Sequence, residues 1–229
     1  MKAIINTPTP DLQQSKDFYH SLRYHLVESG DHHYAISGDL IIRINPDRYS
    51  RPGLVFYQED WGKIIDSFKE DYYLINKDHS QFVAAPSGTI VELCQIDHYP
   101  DLPGFEEVNE LPGKFSGISI EAFDFKKSVS FWSSLGYNIN AGNVEGGWVS
   151  MGNESQIGIS IMKFHMCPHL FYNPSFTYFN SGNNIEVIKS IKDAQIPITE
   201  EITFFNKEGI VDNIIIRDPG GFGFFIFND

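Results

Sequence analysis

The sequence predicts an α+β protein built from four strand–helix–three-strand (βαβββ) units in two halves, and three observations predict it. The segment from Asp11 to Tyr24 (DLQQSKDFYHSLRY) is answered by that from Asp124 to Tyr137 (DFKKSVSFWSSLGY), with Asp, Ser, Phe, Ser, Leu and Tyr at the same six offsets. A repeat spaced by about half of the 229 residues marks a duplicated structural unit. Each half also reads as two successive runs of strand, helix and three strands. Finally, the second and fourth helices match, with Ile65, Ser67 and Lys69 answered by Ile188, Ser190 and Lys192.

In the first unit KAIINT is a short strand, and Asp11 with Gln14 resembles a capping box that opens a helix. Phe18, Tyr19 and Leu22 have helical spacing over 15–22. HLVESG, HHYAIS and DLIIRINP follow as strands, separated by Gly30 and Gly38. The second unit begins at PGLVFYQ, with Asp60 as helix cap and Ile64, Ile65 and Phe68 as the buried stripe; YYLINK, SQFVAA and TIVELCQ are its strands. Residues 97–113 hold three prolines and five acids without periodicity and read as a linker between a first domain, 1–96, and a second, 114–229. The third unit starts at SGISIEAF and the fourth at SFTYFN, whose helix runs over about 184–194.

Hydrophobic content of 41% is enough for a real core. A formal charge of −13 opposes phosphate backbones and excludes nucleic acid as an expected partner. It would suit a cationic ligand, although solubility alone accounts for it. No segment approaches the length of a membrane span, and MKAIINTPTP lacks the apolar run of a signal peptide, so a cytoplasmic location is expected. Two cysteines, Cys94 and Cys167, are too few for a disulfide framework.

Four βαβββ units in two pairs resemble the vicinal oxygen chelate superfamily, which includes glyoxalase I, bleomycin-resistance proteins and extradiol dioxygenases. The resemblance rests on D-L/F-x-x-S-x-x-F-Y/W-x-S-L-x-Y in units one and three. It rests also on PSGTIVEL (Pro86–Leu93) and RDPGGFGFF (Arg217–Phe225), which are similar to the closing turn of that family. It implies that paired units curl their mixed sheets into two cups, each with a place for a divalent metal on its floor. The usual ligands would be a His, Gln or Glu on the first strand of a unit and a Glu on the closing strand. Counting from the helix caps puts Ile4, Gly53, Gly117 and Phe176 at the first-strand positions, and none of these can coordinate a metal. The closing Glu survives once, as Glu92, with Phe225 at the matching place in unit four. About three protein ligands are needed to hold a catalytic ion, so no family-type metal and no cofactor are expected.

Strand alternation sorts the faces. In the second half Ser119 and Glu121 should point into the cup, with Tyr178 and Asn180 on the next unit, Phe225 with Phe227, Ser160 with Met162, and Trp148 nearby. That is the aromatic, sparsely polar make-up of an organic-ligand pocket, or of a cup filled by its own side chains. In the first half Glu92 and Cys94 share a face with Arg43, Asn45, Asn6 and Tyr57. Arg43 is suited to clamp a carboxylate or phosphate, with Glu92 orienting it or acting as a base. The structural alternative is an Arg43–Glu92 ion pair that plugs the cup. Glu92 and Glu121 are the candidate catalytic residues. Cys94, beside Glu92, reads as an inert buried thiol. His165, Cys167 and His169 in HMCPH have zinc-type donors, but Pro168 breaks the alternation and no fourth ligand is evident. His32 and His33 lie on one strand, so at most one faces the cup.

The function expected is a metal-independent binder of a small organic, aromatic or cationic molecule held in an aromatic cup. The alternative is a metal-dependent lyase, isomerase or dioxygenase with a divalent ion on non-standard ligands. Four units in one chain suit a monomer without forbidding a homodimer.

Overall fold

The computed structural model describes residues 1–105 and 110–228. Unit one comprises β1 (Lys2–Pro8), α1 (Leu12–Ser21), β2 (His25–Ser29), β3 (His32–Ser37) and β4 (Leu40–Asn45). Unit two comprises β5 (Gly53–Gln58), α2 (Gly62–Phe68), β6 (Leu74–Lys77), β7 (Ser80–Ala84) and β8 (Ile90–Gln95). In the second half unit three is β9 (Lys114–Ala122), α3 (Phe125–Ser134), β10 (Asn138–Asn143), β11 (Trp148–Gly152) and β12 (Ile159–Lys163). Unit four is β13 (Ser175–Phe179), α4 (Asn184–Asp193), β14 (Ile198–Ile202), β15 (Asn213–Arg217) and β16 (Gly223–Phe227).

The first sheet has the order β2-β3-β4-β1-β5-β8-β7-β6 and the second β10-β11-β12-β9-β13-β16-β15-β14. In each unit the first strand runs parallel to the last, and two units join antiparallel through their first strands, β1 to β5 and β9 to β13. Unit one therefore pairs with unit two, and unit three with unit four.

The sequence repeat is explained by what its residues do. Asp11 and Asp124 cap their helices, accepting from the backbone N–H of Gln14 at 3.0 Å and of Lys127 at 2.9 Å. Ser15 and Ser128 are fully buried at matching points, where a small side chain lets each helix lie close to its sheet. Tyr19 and Trp132, Leu22 and Leu135, and Tyr24 and Tyr137 bury the same stripe twice. In unit two Asp60 lies one residue before the helix cap position, Trp61, and accepts from Gly62 N–H at 2.8 Å.

The helix-bearing faces of the two sheets meet in one continuous core. Phe68 of α2 stacks on Phe131 of α3 at 4.9 Å, Phe56 meets Tyr137 at 6.3 Å, and Phe18 of α1 packs edge-on against Phe224 at 5.6 Å. Three side-chain hydrogen bonds among the described residues bridge the halves within it. The Tyr24 and Tyr178 hydroxyls share a hydrogen bond at 2.5 Å, and the Asp218 carboxylate accepts from Thr7 at 2.6 Å and from Tyr19 at 2.9 Å. The opposite face of each sheet, the cup, carries its own smaller apolar cluster.

This packing corrects the reading of β13. Tyr178 does not face the cup: it lies on the core side with Phe176 and stacks on Phe224, rings parallel and 5.7 Å apart. Two large rings gain more area between the sheets than on an outer face. Asn180 also leaves the cup, bonding Pro112 O at 3.2 Å and Asn184 at 2.6 Å. Thr177 and Phe179 therefore take the cup side of this strand.

The 97–113 stretch does more than join the halves; its residues 106–109 lie outside the described residues. Tyr99, Leu102 and Phe105 pack onto the first cup, and Leu111 is buried in the shared core with its N–H on Leu22 O at 3.1 Å.

Candidate functional site

The floor of the first cup follows from strand register. Ile4 lies beside Val55, and Val55 beside Glu92, across three central strands. Arg43 comes alongside from β4, level with Asn6 of β1. Arg43 Nη2 meets Glu92 Oε2 at 2.5 Å, and each side chain is only 12% exposed. Arg43 Nε also donates to Asn6 Oδ1 at 2.8 Å, and Asn6 is held by Ser50 at 2.9 Å and by Arg51 O at 2.8 Å. The other carboxylate oxygen of Glu92 accepts from Ser80 at 2.9 Å and from the Cys94 thiol at 3.5 Å. Burial works against the Arg43 charge, but Glu92 beside it more than offsets this and holds its pKa above the ordinary value. Burial first, and then the Glu92 charge, push the Cys94 thiol up to about 12, so it stays protonated and inert near neutral pH.

The ion pair divides this cup. On one side Tyr57, Tyr34, Ile36 and Cys94 are covered by the segment after β8, where Tyr99 meets Tyr57 edge-on at 5.1 Å. Tyr57 shares the face of Glu92, as its place in the strand suggests, but lies beneath this cover and lines no described cavity. On the other side a cavity of about 750 Å³ opens above Arg43 and Glu92. Apolar walls come from Val55, Ile75, Phe82 and Ile90, and polar groups from Asn45, Ser50, Arg51 and Ser80. Sequence reasoning missed Ser80 and Phe82, although β7 sets them level with Cys94 and Glu92 in the register. It also missed Arg51, which sits in a loop where alternation says nothing.

In the second cup the floor is Gly117, Thr177 and Phe225, aligned by the same register. Ser119 is on the cup face but bonds Thr177 at 2.7 Å. Glu121 accepts from Cys167 N–H at 3.1 Å, which makes it a loop anchor. Phe225 is buried beneath Phe171, 5.1 Å away, so it is not open to a ligand. Phe227 lines a smaller cavity of about 430 Å³ with Met162, Phe179, Phe205 and His169. Trp148 donates to Ser160 at 2.8 Å on the outer part of the sheet and stands outside this cavity, 38% exposed.

The chain has the vicinal oxygen chelate fold. No protein-family model and no curated protein matches it. Among solved structures it is similar to a catechol 2,3-dioxygenase, at 13% identity and TM-score 0.61 over 99% of this chain and 86% of that one. It is also similar to a homoprotocatechuate 2,3-dioxygenase from Arthrobacter globiformis, at 14% identity and TM-score 0.61 over 100% and 79%. A Mn(II)-bound glyoxalase from Novosphingobium aromaticivorans matches at 15% identity and TM-score 0.60 over 98% and 80%.

The fold thus raises the question of a divalent metal, and the donor set answers it. The positions level with Glu92 and Phe225 are Val55 and Thr177, not the Gly53 and Phe176 reached by counting from the helix caps. Neither change adds a carboxylate or an imidazole. At these floor positions the carboxylate present, Glu92, is occupied by a guanidinium and two further donors. Among the described residues no group of three or more His, Cys, Asp or Glu side chains is placed to hold a metal ion. His165 stacks on the exposed Phe164 at 3.9 Å while His169 turns to Glu200 at 3.2 Å, so HMCPH does not converge. These residues do not fit the divalent metal that the resemblance implies. No helix among the described residues is long and apolar enough to cross a membrane.

Proposed function

We propose that the protein is a metal-independent binder of a small organic molecule, held in the open half of the first cup. The observation that carries this reading is the cavity of about 750 Å³ above the Arg43–Glu92 pair. Its size and its mixture of apolar walls with a few polar groups are those of a small-molecule site. Four carboxylates, Asp31, Asp47, Asp78 and Glu92, line it with Arg43, Arg51 and Lys77. Glu92 is paired with Arg43 and Asp47 with Lys77 at 3.3 Å, while Arg51 has no carboxylate partner among the described residues. A ligand with an apolar body against Val55, Ile75, Phe82 and Ile90 and a neutral or anionic end toward Arg51 and Asn45 fits this part of the lining. Glu92 is held by three donors, so no role as a base is assigned to it. Two unpaired thiols suit a reducing compartment such as the cytoplasm.

A thermal-shift screen of small carboxylic acids and amides with aromatic or branched aliphatic bodies tests this. A compound at one hundred times its Kd adds about 2.7 kcal/mol, or about 5–11 °C in a chain of this size. Arg51→Glu is expected to abolish the shift given by acidic hits. A screen without hits, or acidic hits indifferent to Arg51→Glu, contradicts the proposal.

A further inference from the structure

We propose that the second cup holds a separate ligand site, in which Nε2 of His169 accepts a hydrogen bond from a small aromatic molecule bearing an N–H or O–H donor. His169 lines the cavity of about 430 Å³, and its side chain is only 6% exposed. Its Nδ1 lies 3.2 Å from Glu200 Oε1. A carboxylate only accepts, so Nδ1 carries a hydrogen, and in the tautomer with that single ring hydrogen Nε2 presents a lone pair.

Glu200 is itself fixed, because its second oxygen accepts from Leu170 N–H at 2.8 Å. The tautomer and the ring position are therefore both set by the fold. Nε2 is buried and has no hydrogen-bond partner. An acceptor stripped of water without a partner is left desolvated at a cost, and a ligand donor would recover that loss.

The rest of the cavity states the body of the ligand. Met162, Phe179, Phe205 and Phe227 give it a polarisable, largely aromatic wall, and the carboxylate that also lines it, Asp212, already accepts from Asn206 and Asn213. Phe205 meets the His169 ring edge-on at 5.4 Å and is itself exposed, as is its neighbour Phe204. Such rings at a rim suit a flat aromatic guest. The site needs no metal, and it shares no lining residue with the first cup.

Indole and 1-methylindole are matched probes, since they differ in the one donor. Calorimetric titration of the full chain is expected to show indole binding at least tenfold tighter than 1-methylindole. Crystals soaked with indole should place its nitrogen within hydrogen-bond distance of His169 Nε2. In His169→Phe, which keeps a ring of similar shape, indole should fall to the affinity of 1-methylindole. Equal affinities in the wild-type protein overturn the proposal whether or not the variant folds. So does indole located only in the first cup, or no binding of either compound.

Discussion

Arg43→Ala is expected to destabilise the protein by about 3–5 kcal/mol, because it leaves the Glu92 carboxylate buried without its counter-charge. Both side chains are 12% exposed, so the carboxylate is largely desolvated and water could reach it only from the cavity above. The remaining donors, Ser80 and Cys94, both serve the other carboxylate oxygen. Replacing the pair together, Arg43→Met with Glu92→Leu, should recover most of the loss and fall within about 1 kcal/mol of wild type, since an apolar pair of similar size has no desolvation cost to offset. Urea unfolding of the two variants separates a plug from a ligand clamp. A clamp would show a stable Arg43→Ala that loses only binding.

Asp218→Ala should cost about 3–5 kcal/mol for a different reason. It orphans three donors at once: the Thr7 and Tyr19 hydroxyls of the first half and Phe222 N–H, which bonds the carboxylate at 2.7 Å. Asp218→Asn should be far milder, because the amide oxygen keeps an acceptor and the Thr7 hydroxyl can turn to accept. Burial raises the Asp218 pKa despite these three donors. The sign of the linkage follows. A carboxyl that binds its proton more tightly when folded contributes most below its unfolded pKa of about 3.9, and that contribution is lost as pH rises through the raised folded value. Stability measured from pH 4 upward should therefore fall less in Asp218→Asn than in wild type, once the other groups shared by both proteins are subtracted. Identical pH profiles would remove Asp218 as a titrating tie between the halves.

The fold was legible because its repeating residues have local jobs. Asp11 and Asp124 cap, Ser15 and Ser128 permit close approach, and the aromatic residues after them fill one stripe, so each job leaves a mark at fixed spacing. The Arg43–Glu92 contact was legible for a similar reason: period-two alternation put both on one face, and opposite charges there had few other partners. β13 was not legible in this way. Phe176, Tyr178 and Phe179 are apolar on both faces, so alternation carries no sign in that strand. The segment after β8 also misled, since its prolines hide the spacing of Tyr99, Leu102 and Phe105, which cover half of the first cup. His169 and Glu200 are 31 residues apart in a loop and an edge strand, and only the folded chain brings them together.

The account turns on Arg43 holding the carboxylate that a metal would need. The most direct measurement is the metal content of the purified protein after exhaustive dialysis without chelator, by elemental mass spectrometry. We expect less than about one-tenth of an equivalent of zinc, nickel, iron or manganese per chain, because a buried site with one pre-occupied carboxylate falls short of the three ligands such ions require. One full equivalent of any of these metals, retained through dialysis and lost in Glu92→Gln, would contradict it.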